Sequence, residues 1–268
     1  MTTKKAAAMA AVLAASLLSL PQMSLAMAGG SAAIAADGQN QRDSLSAAKS
    51  KLNKSQFKDV QVSVDANGIA TLTGTVALYE YKADAEKKVS RAKGIVAVRN
   101  EIEVAGPAIP DQELQGKLVD KLQYDRVGYG TTAFNAISVN VQNGVVTLGG
   151  HAYDYVDRDS ALALVSTYPG VKDVINDIEV DPTSIVDDQI RLRVAHAVYG
   201  YPSLNKYAIN PAKPIRISVQ NGNVELYGTV DSQADKETAY IRANGVPGVF
   251  SVKNYLEVAG QPSETSKN

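Results

Sequence analysis

The chain has 268 residues and a formal net charge of −1, with 27 Lys and Arg balanced by 28 Asp and Glu. This length suits several small domains, and a nearly neutral chain has no global field that would draw it onto nucleic acid. Cys and Trp are absent and only two His occur, which excludes disulfide scaffolds and cysteine-based metal or redox sites.

The first residues have the composition of a secretory signal peptide. Two lysines precede an apolar stretch over 6–20, and small residues suited to cleavage follow it. The stretch is shorter than the roughly 20 residues that a membrane-spanning helix needs, so a cleaved export signal is expected. We place the signal at residues 1–28, with cleavage after Ala28 or alternatively near Ala35. Residues 29–42 are rich in Gly, Ala, Ser and Gln and are expected to be a flexible leader.

A helical pattern follows the leader and occurs three times along the chain. The three copies occupy 43–54, 111–123 and 187–199. Asp43, Asp111 and Asp187 stand at their predicted starts. A carboxylate at this position can accept hydrogen bonds from the free amides of the first turn and interact favourably with the helix dipole. We therefore expect these three residues to cap the first helix of a repeated unit.

A hairpin pattern follows each of these helices. Its strands alternate apolar and polar residues, as half-buried strands do, and the Asn-Gly pair between them favours a tight turn with positive φ angles. The segments read NGIATLTG at 67–74, NGVVTLGG at 143–150 and NGNVELYG at 221–228. The last glycine of each, Gly74, Gly150 or Gly228, lies inside a strand. A glycine there indicates a bend or the close approach of another element, and we expect a helix to cross at this point.

A second glycine follows each hairpin at a constant distance. Gly94, Gly170 and Gly248 lie 26 residues beyond the Asn-Gly glycines Gly68, Gly144 and Gly222 (94−68, 170−144 and 248−222). Equal spacing in three copies indicates a true repeat. Helical patterns precede this glycine at 80–92, 156–167 and 232–244, and alternating strands follow it to Val104, Val180 and Val258. We expect the glycine to end the helix in a left-handed cap.

The predicted order in each copy is helix, strand, strand, helix, strand. Two helices on one face of a three-stranded mixed sheet bury one small core, so the predicted fold is α+β in three tandem modules. We place module 1 at 43–104, module 2 at 111–180 and module 3 at 187–258. The polar residues 259–268 are expected to be a disordered tail.

The repeated hairpin and the ending that reads GIVAVRNEIEV at 94–104 resemble the BON domain. The resemblance covers nearly all of 43–258. In the third copy Asn223 replaces an apolar hairpin residue and Phe250 is expected to enter the last strand. BON domains occur in periplasmic, osmotic-stress-related and outer-membrane-associated bacterial proteins. The resemblance implies a non-enzymatic periplasmic protein, related to envelope or osmotic stress, that associates with phospholipid membrane surfaces. The alternative is a soluble periplasmic chaperone or protein–protein scaffold that binds no lipid.

No pattern of catalytic, cofactor-binding or metal-binding residues accompanies the repeat. His151 and His196 each occur in one copy only, and no Ser, His and carboxylate set suggests a triad. Pairs such as Asp187 and Asp188 lack the spacing of a calcium-binding loop. We therefore expect no enzyme activity, no cofactor, no nucleic-acid partner and no small-molecule substrate. The expected partners are phospholipid membrane surfaces or envelope proteins.

Two kinds of residue are candidates for that contact. Modules 2 and 3 have a longer, Tyr-bearing segment after their first helix, and aromatic rings beside cations suit a membrane interface. Module 1 has a basic second helix, which suits anionic headgroups. The net charges of modules 1, 2 and 3 are +2, −5 and +1 (10−8, 5−10 and 8−7), so module 3 is the first choice. The alternatives are that the rings cover a protein core and that the cations form a solvated face. The candidates are Tyr199, Tyr201, Lys206, Tyr207 and Lys213 in module 3, Tyr124, Arg126 and Tyr129 in module 2, and Lys87, Lys88 and Arg91 in module 1.

Overall fold

The structure is a computed structural model that describes residues 29–124, 133–182, 184–210 and 213–261. The predicted signal peptide and most of the predicted tail lie outside these residues. The first helix begins at Gly29, so the segment expected to be a flexible leader is helical. Asp43 consequently lies within this helix and not at its start.

Each module has the predicted order of helix, strand, strand, helix and strand, and modules 1 and 3 add a short helix before their first strand. Module 1 contains α1 (Gly29–Lys51), a short 3-10 helix (Ser55–Phe57), β1 (Val60–Val64), β2 (Ile69–Val76), α2 (Tyr79–Val89) and β3 (Ala97–Val104). Module 2 contains α3 (Asp111–Tyr124), β4 (Ala136–Gln142), β5 (Val145–Ala152), α4 (Tyr155–Ser166) and β6 (Asp173–Val180). Module 3 contains α5 (Ile185–Tyr199), α6 (Lys206–Ile209), β7 (Arg216–Gln220), β8 (Asn223–Val230), α7 (Gln233–Asn244) and β9 (Ser251–Val258).

The second strand of each module is the centre of a three-stranded sheet. It pairs antiparallel with the first strand and parallel with the third. The parallel pairing needs a crossover connection, which α2, α4 and α7 supply. The predicted α+β fold with three mixed sheets is confirmed.

The core of each module lies between one face of the sheet and the helices. Leu72, Leu148 and Leu226 on the central strands are completely buried. The crossover helices place an alanine at the equivalent point of contact, and Ala85, Ala161 and Ala239 are completely buried as well. A small side chain there lets the helix lie close to the sheet.

The Asn-Gly pair forms the predicted two-residue turn in modules 2 and 3. Asn143 and Asn221 have φ angles of 54° and 50°, the left-handed conformation that such turns require. In module 1 the connection spans the four residues 65–68. There the carboxylate of Asp65 accepts hydrogen bonds from the amides of Asn67 and Ile69 at 2.9 and 2.8 Å, which stabilises the longer loop.

The aspartates predicted to cap the first helices bind the hairpin turns in modules 2 and 3. Asp187 accepts hydrogen bonds from the amides of Asn221 and Gly222 at 2.9 and 2.8 Å. The cap of α5 is instead Ser184, whose hydroxyl accepts from the amide of Asp187. The cap prediction is therefore wrong for Asp187. In module 2 Asp111 likewise accepts from both turn amides, so these carboxylates join helix to hairpin.

The second glycine does not end the helix, contrary to the prediction. The helices α2, α4 and α7 end four or five residues earlier, and their C-cap residues are right-handed. The glycine lies in a loop that returns to the hairpin, and we call the segments 93–96, 169–172 and 247–250 the glycine loops. The carbonyl oxygens of Gly68, Gly144 and Gly222 accept hydrogen bonds from the amides of Val96, Lys172 and Phe250 at 2.9, 2.9 and 2.8 Å. This backbone contact accounts for the constant spacing of 26 residues.

The strand glycines approach a backbone and not a helix. A Cβ atom on Gly74, Gly150 or Gly228 would lie 2.0, 2.1 or 2.5 Å from the carbonyl oxygen of the residue that leads into the first strand. All three glycines also have positive φ angles. The predicted close approach is present, but the predicted helix crossing is wrong. Within the described ranges, no helix combines the length and apolar composition of a membrane span.

Gly150→Ala should destabilise module 2, because the added methyl group would meet the carbonyl oxygen of Ala136 at 2.1 Å and the residue would keep a positive φ angle. We expect the free energy of unfolding to fall by about 1–3 kcal/mol. Gly116→Ala is the matched control, since Gly116 is an exposed residue of α3 with no heavy atom within 4 Å of the new methyl group. That change should stabilise the module by about 0.5–1 kcal/mol. Denaturant unfolding of the whole chain measures both, and an unaltered midpoint for Gly150→Ala would contradict the observed approach.

Candidate functional site

Two of the aromatic candidates in module 3 belong to its core. Tyr199 and Tyr207 are only 5% and 2% exposed. Tyr199 donates its hydroxyl hydrogen to the carbonyl oxygen of Ile215. Tyr207 donates to Asp235 at 2.8 Å and accepts from the amide of Asp231 at 2.7 Å, and its burial raises the pKa of the phenol. This arrangement favours the alternative in which the rings cover their own core.

The two lysines of the same segment are paired within the module. Lys206 Nζ lies 2.9 Å from carboxylate oxygens of both Asp231 and Asp235, and these hydrogen bonds raise the pKa of Lys206. Lys213 Nζ lies 3.7 Å from Asp231. The carboxylates therefore neutralise the cations that were expected to meet anionic headgroups.

Of the remaining candidates in the long segments of modules 2 and 3, one lies on the surface and the others lie outside the described residues and side chains. Tyr201 is 39% exposed, and the guanidinium carbon of Arg242 lies 5.3 Å from the centre of its ring. Arg126 and Tyr129 lie outside the described residues, as does the side chain of Tyr124. Tyr201 is thus the exposed aromatic candidate that the described structure contains.

The basic helix of module 1 is mostly on the surface. Lys87 and Arg91 are exposed, whereas Lys88 forms a salt bridge with Asp84 at 3.2 Å. Lys93 is also exposed and begins the glycine loop of module 1. Among the described residues, no carboxylate forms a salt bridge with Lys87, Arg91 or Lys93. This end of α2 therefore carries a local excess of positive charge.

Sequence reasoning missed the side chains at the tips of two glycine loops. Val96 and Phe250 are 80% and 86% exposed and occupy equivalent positions, two residues beyond the second glycine. Phe250 precedes β9, so the expectation that it enters the last strand is wrong. The equivalent residue of module 2 is Lys172. Alignment of the three copies on the second glycine could have found this position. It was missed because Val96 and Phe250 directly precede an alternating strand, so their apolar side chains were interpreted as part of the strand's buried face.

A buried ion pair lies where modules 2 and 3 meet. Asp181 follows β6 and Arg191 lies on α5, and their side chains are buried with charged atoms 3.2 Å apart. Asp181 also accepts hydrogen bonds from Ser218 and Gln220 of β7, both at 3.0 Å. Arg191 donates to the carbonyl oxygen of Val219 at 3.0 Å. Removing one partner of such a pair typically costs about 3–5 kcal/mol, so the pair holds the end of module 2 against module 3.

His151 extends this cluster across the two sheets. Its Nδ1 atom lies 3.5 Å from Asp181 and 4.0 Å from Glu179, and its Nε2 atom lies 3.8 Å from Glu225 on β8. The hydrogen bond with Asp181 raises the pKa of His151 more than burial lowers it, and the nearby carboxylates raise it further. Burial alone would raise the pKa of Asp181, but its hydrogen bonds and the charge of Arg191 outweigh burial and lower it.

Aromatic packing covers the buried pair. The ring centre of Tyr153 lies 4.7 Å from the guanidinium carbon of Arg191, and its ring contacts that of Phe134 at a centre-to-centre distance of 6.1 Å. Phe134 closes the long segment of module 2 and joins the core of module 3. This segment therefore packs against the neighbouring module, at least at its described end.

The cluster at this interface is a network of ion pairs and hydrogen bonds. Among the described residues, no group of three or more His, Asp or Glu side chains is arranged to hold a metal ion. The cleft beside His151 has a volume of about 430 Å³ and is lined by polar side chains that include Glu225 and Lys253. The chemistry available to this cluster is proton exchange at His151, which changes the electrostatic attraction between His151 and the carboxylates of modules 2 and 3.

The BON domain model matches residues 45–106, 110–182 and 187–260. The chain belongs to the BON domain family. Osmotically-inducible protein Y of Escherichia coli (strain K12) is 26% identical to it over 199 residues, which cover 69% of this chain and 91% of that protein.

Two solved structures align over most of this BON protein. They are the C-terminal domain of CdsD, a structural protein of the type III secretion system of Chlamydia trachomatis, and the PrgH periplasmic domain. The first covers 82% of this chain and 96% of that chain at 16% identity and a TM-score of 0.22. The second covers 76% and 96% at 9% identity and a TM-score of 0.17. TM-scores this low support no further comparison.

Tyr207→Phe should destabilise the third BON domain, because it removes the hydroxyl that donates to Asp235 and accepts from the amide of Asp231 in a buried site. We expect a loss of about 1–3 kcal/mol in the free energy of unfolding. Tyr201→Phe removes the same hydroxyl from an exposed ring and should change stability by no more than about 0.5 kcal/mol. Urea unfolding compares the two variants. Equal midpoints would show that the Tyr207 hydroxyl is not part of the core network.

Proposed function

We propose that this BON protein is an exported, non-enzymatic protein of the bacterial periplasm that serves in envelope or osmotic stress and associates peripherally with phospholipid surfaces. The family and the similarity to osmotically-inducible protein Y support the compartment and the stress setting. The composition of residues 1–28 supports export. We assign the membrane contact to the glycine loops of modules 1 and 3.

The observation that carries this proposal is the exposure of Val96 and Phe250. Single exposed apolar residues are common on soluble proteins, but here two modules expose one at the same backbone position. The hydrogen bonds to Gly68 and Gly222 hold both side chains at the tip of a short, braced loop. The exposed side chain at such a tip contributes no apolar burial to the protein's own core. On entering a lipid interface it would gain about 25 cal/mol for each Å² of apolar surface removed from water.

The charge around the tips favours an anionic surface. Residues 90–98 in module 1 include two cations and no carboxylate, and residues 244–252 in module 3 include no charged side chain. These two cations are Arg91 and Lys93, and Lys87 near the end of α2 adds a third. Each cation near an anionic membrane contributes about 1 kcal/mol. Asp43 and Asp65 line the same cleft as Lys93 and Val96, so we expect the side of the loop that carries Lys87 and Arg91 to face the lipid.

Module 2 suits the role of a spacer between two contact points. Its loop tip is Lys172, which is followed by Asp173, and Asp173 forms a salt bridge with Lys82 of module 1 at 3.8 Å. Its net charge of −5 (5−10) would oppose binding to anionic headgroups. The three modules therefore combine two apolar tips with one domain that remains in water.

Phe250→Ser should weaken binding to phosphatidylglycerol-containing vesicles by roughly tenfold, since burial of a Phe side chain is worth about 1.5–3 kcal/mol. The double variant Lys87→Glu with Arg91→Glu should weaken binding by a similar or larger factor at low salt. Its effect should fade as added salt screens the charges, whereas the effect of Phe250→Ser should persist. Vesicle co-sedimentation at low and high salt measures the binding of each variant.

Val156→Ser is the control for the apolar change, because Val156 is exposed at the start of α4 in module 2. Lys51→Glu is the control for the charge change, because Lys51 is exposed at the end of α1. Both should bind vesicles as the unchanged protein does. If the unchanged protein binds no vesicles yet suppresses the aggregation of unfolded proteins, the chaperone or scaffold alternative replaces this proposal.

A further inference from the structure

We propose that modules 2 and 3 form a pH-sensitive pair, in which protonated His151 draws the two sheets together and neutral His151 lets the sheets move apart while the buried Asp181–Arg191 pair still joins the modules. His151 is the residue of β5 that faces carboxylates of both modules. Its two ring nitrogens point in different directions, with Nδ1 beside Asp181 and Nε2 beside Glu225. The inference does not depend on lipid binding.

The geometry suits an imidazole in which both ring nitrogens carry hydrogen, because each nitrogen faces a carboxylate. A protonated imidazole donates from both nitrogens, whereas a neutral imidazole has a single N–H group. Protonated His151 can therefore bridge Asp181 and Glu225, at 3.5 and 3.8 Å in the structure. Neutral His151 can satisfy one of them at most, and it leaves the other contact without an attractive charge.

Protonation of His151 reduces the excess negative charge at the interface. Glu179 on β6 and Asp181 after it face the imidazole from module 2, and Glu225 on β8 faces it from module 3. The nearby cations are already engaged: Arg191 with Asp181 and Asp188, and Lys253 with Glu225. Tyrosine side chains also line this face: Tyr153 lies against Arg191, and Tyr227 lies beside the imidazole and stacks on Tyr255 with ring centres 5.2 Å apart. The four carboxylates of Asp181, Asp188, Glu179 and Glu225 and the two cations sum to −2 when His151 is neutral and to −1 when it is protonated (2−4 and 3−4).

The direction of the pH dependence follows from these contacts. The closed arrangement raises the pKa of His151 above its ordinary value of 6.5, so protonation and closing favour each other. The stabilisation is fully present below pH 6.5 and is lost as the pH rises through the raised pKa. The pKa values of Asp181 and Glu225 lie below their ordinary range, so both carboxylates stay ionised throughout this window.

Single-molecule energy transfer between modules 2 and 3 tests this proposal on the full chain. The sequence has no Cys, so Ala163→Cys on α4 and Ala234→Cys on α7 place one dye on each module at exposed helical positions. We expect one narrow distance distribution at about pH 5.5 and a broader one with longer distances at about pH 8.5. His151→Gln should remove this difference. The exposed His196 is the only other histidine, and His196→Gln should retain the difference.

Glu225→Gln separates a charge effect from a merely structural one. Removing this carboxylate lowers the pKa of His151, so the midpoint of the pH transition should move to lower pH. Circular dichroism on each variant confirms that the modules remain folded. A distance distribution that is the same at both pH values, a pH response that survives His151→Gln, or an unmoved midpoint in Glu225→Gln would each overturn the proposal.

Discussion

The hairpin glycine and the residue two positions beyond the second glycine form one backbone hydrogen bond that recurs in all three modules. This bond closes the end of the crossover connection onto the hairpin turn. In modules 2 and 3 the first helix joins the same point, because Asp111 and Asp187 accept hydrogen bonds from the turn amides. Helix, hairpin and crossover therefore meet at one corner of the module, and the core forms between them.

This corner also decides what the module can present to a partner. The side chain two positions beyond the second glycine is exposed in all three modules. It can therefore vary without cost to the core, and the chain places Val96, Lys172 and Phe250 there. In the proposed function, modules 1 and 3 are the contact points and module 2 is the link between them. If the proposed pH dependence holds, the protonation of His151 changes how module 2 is held against module 3 in the ion-pair network around Asp181.

Much of the fold could be predicted from the sequence, because strand alternation and the repeated spacing are local patterns. The site could not be predicted to the same extent. Tyr199 and Tyr207 belong to a segment that has the composition of a membrane-interface loop. In the structure they instead form buried hydrogen bonds with Ile215 and Asp235, which are 16 and 28 residues away in sequence. Asp187 likewise resembles a helix cap, and its true partners lie 34 and 35 residues away. Polar contacts at such separations depend on how the elements pack, which periodicity does not report.

The central claim is that the apolar loop tips enter a lipid interface. Because the chain has no Trp, Phe250→Trp and Val96→Trp each introduce a single fluorescent reporter at a tip, and Val156→Trp introduces one on an exposed helix of module 2. The account predicts a blue shift of the emission from positions 250 and 96 when anionic vesicles are added, and none from position 156. Unchanged emission from both tips while the protein co-sediments with the vesicles would contradict it.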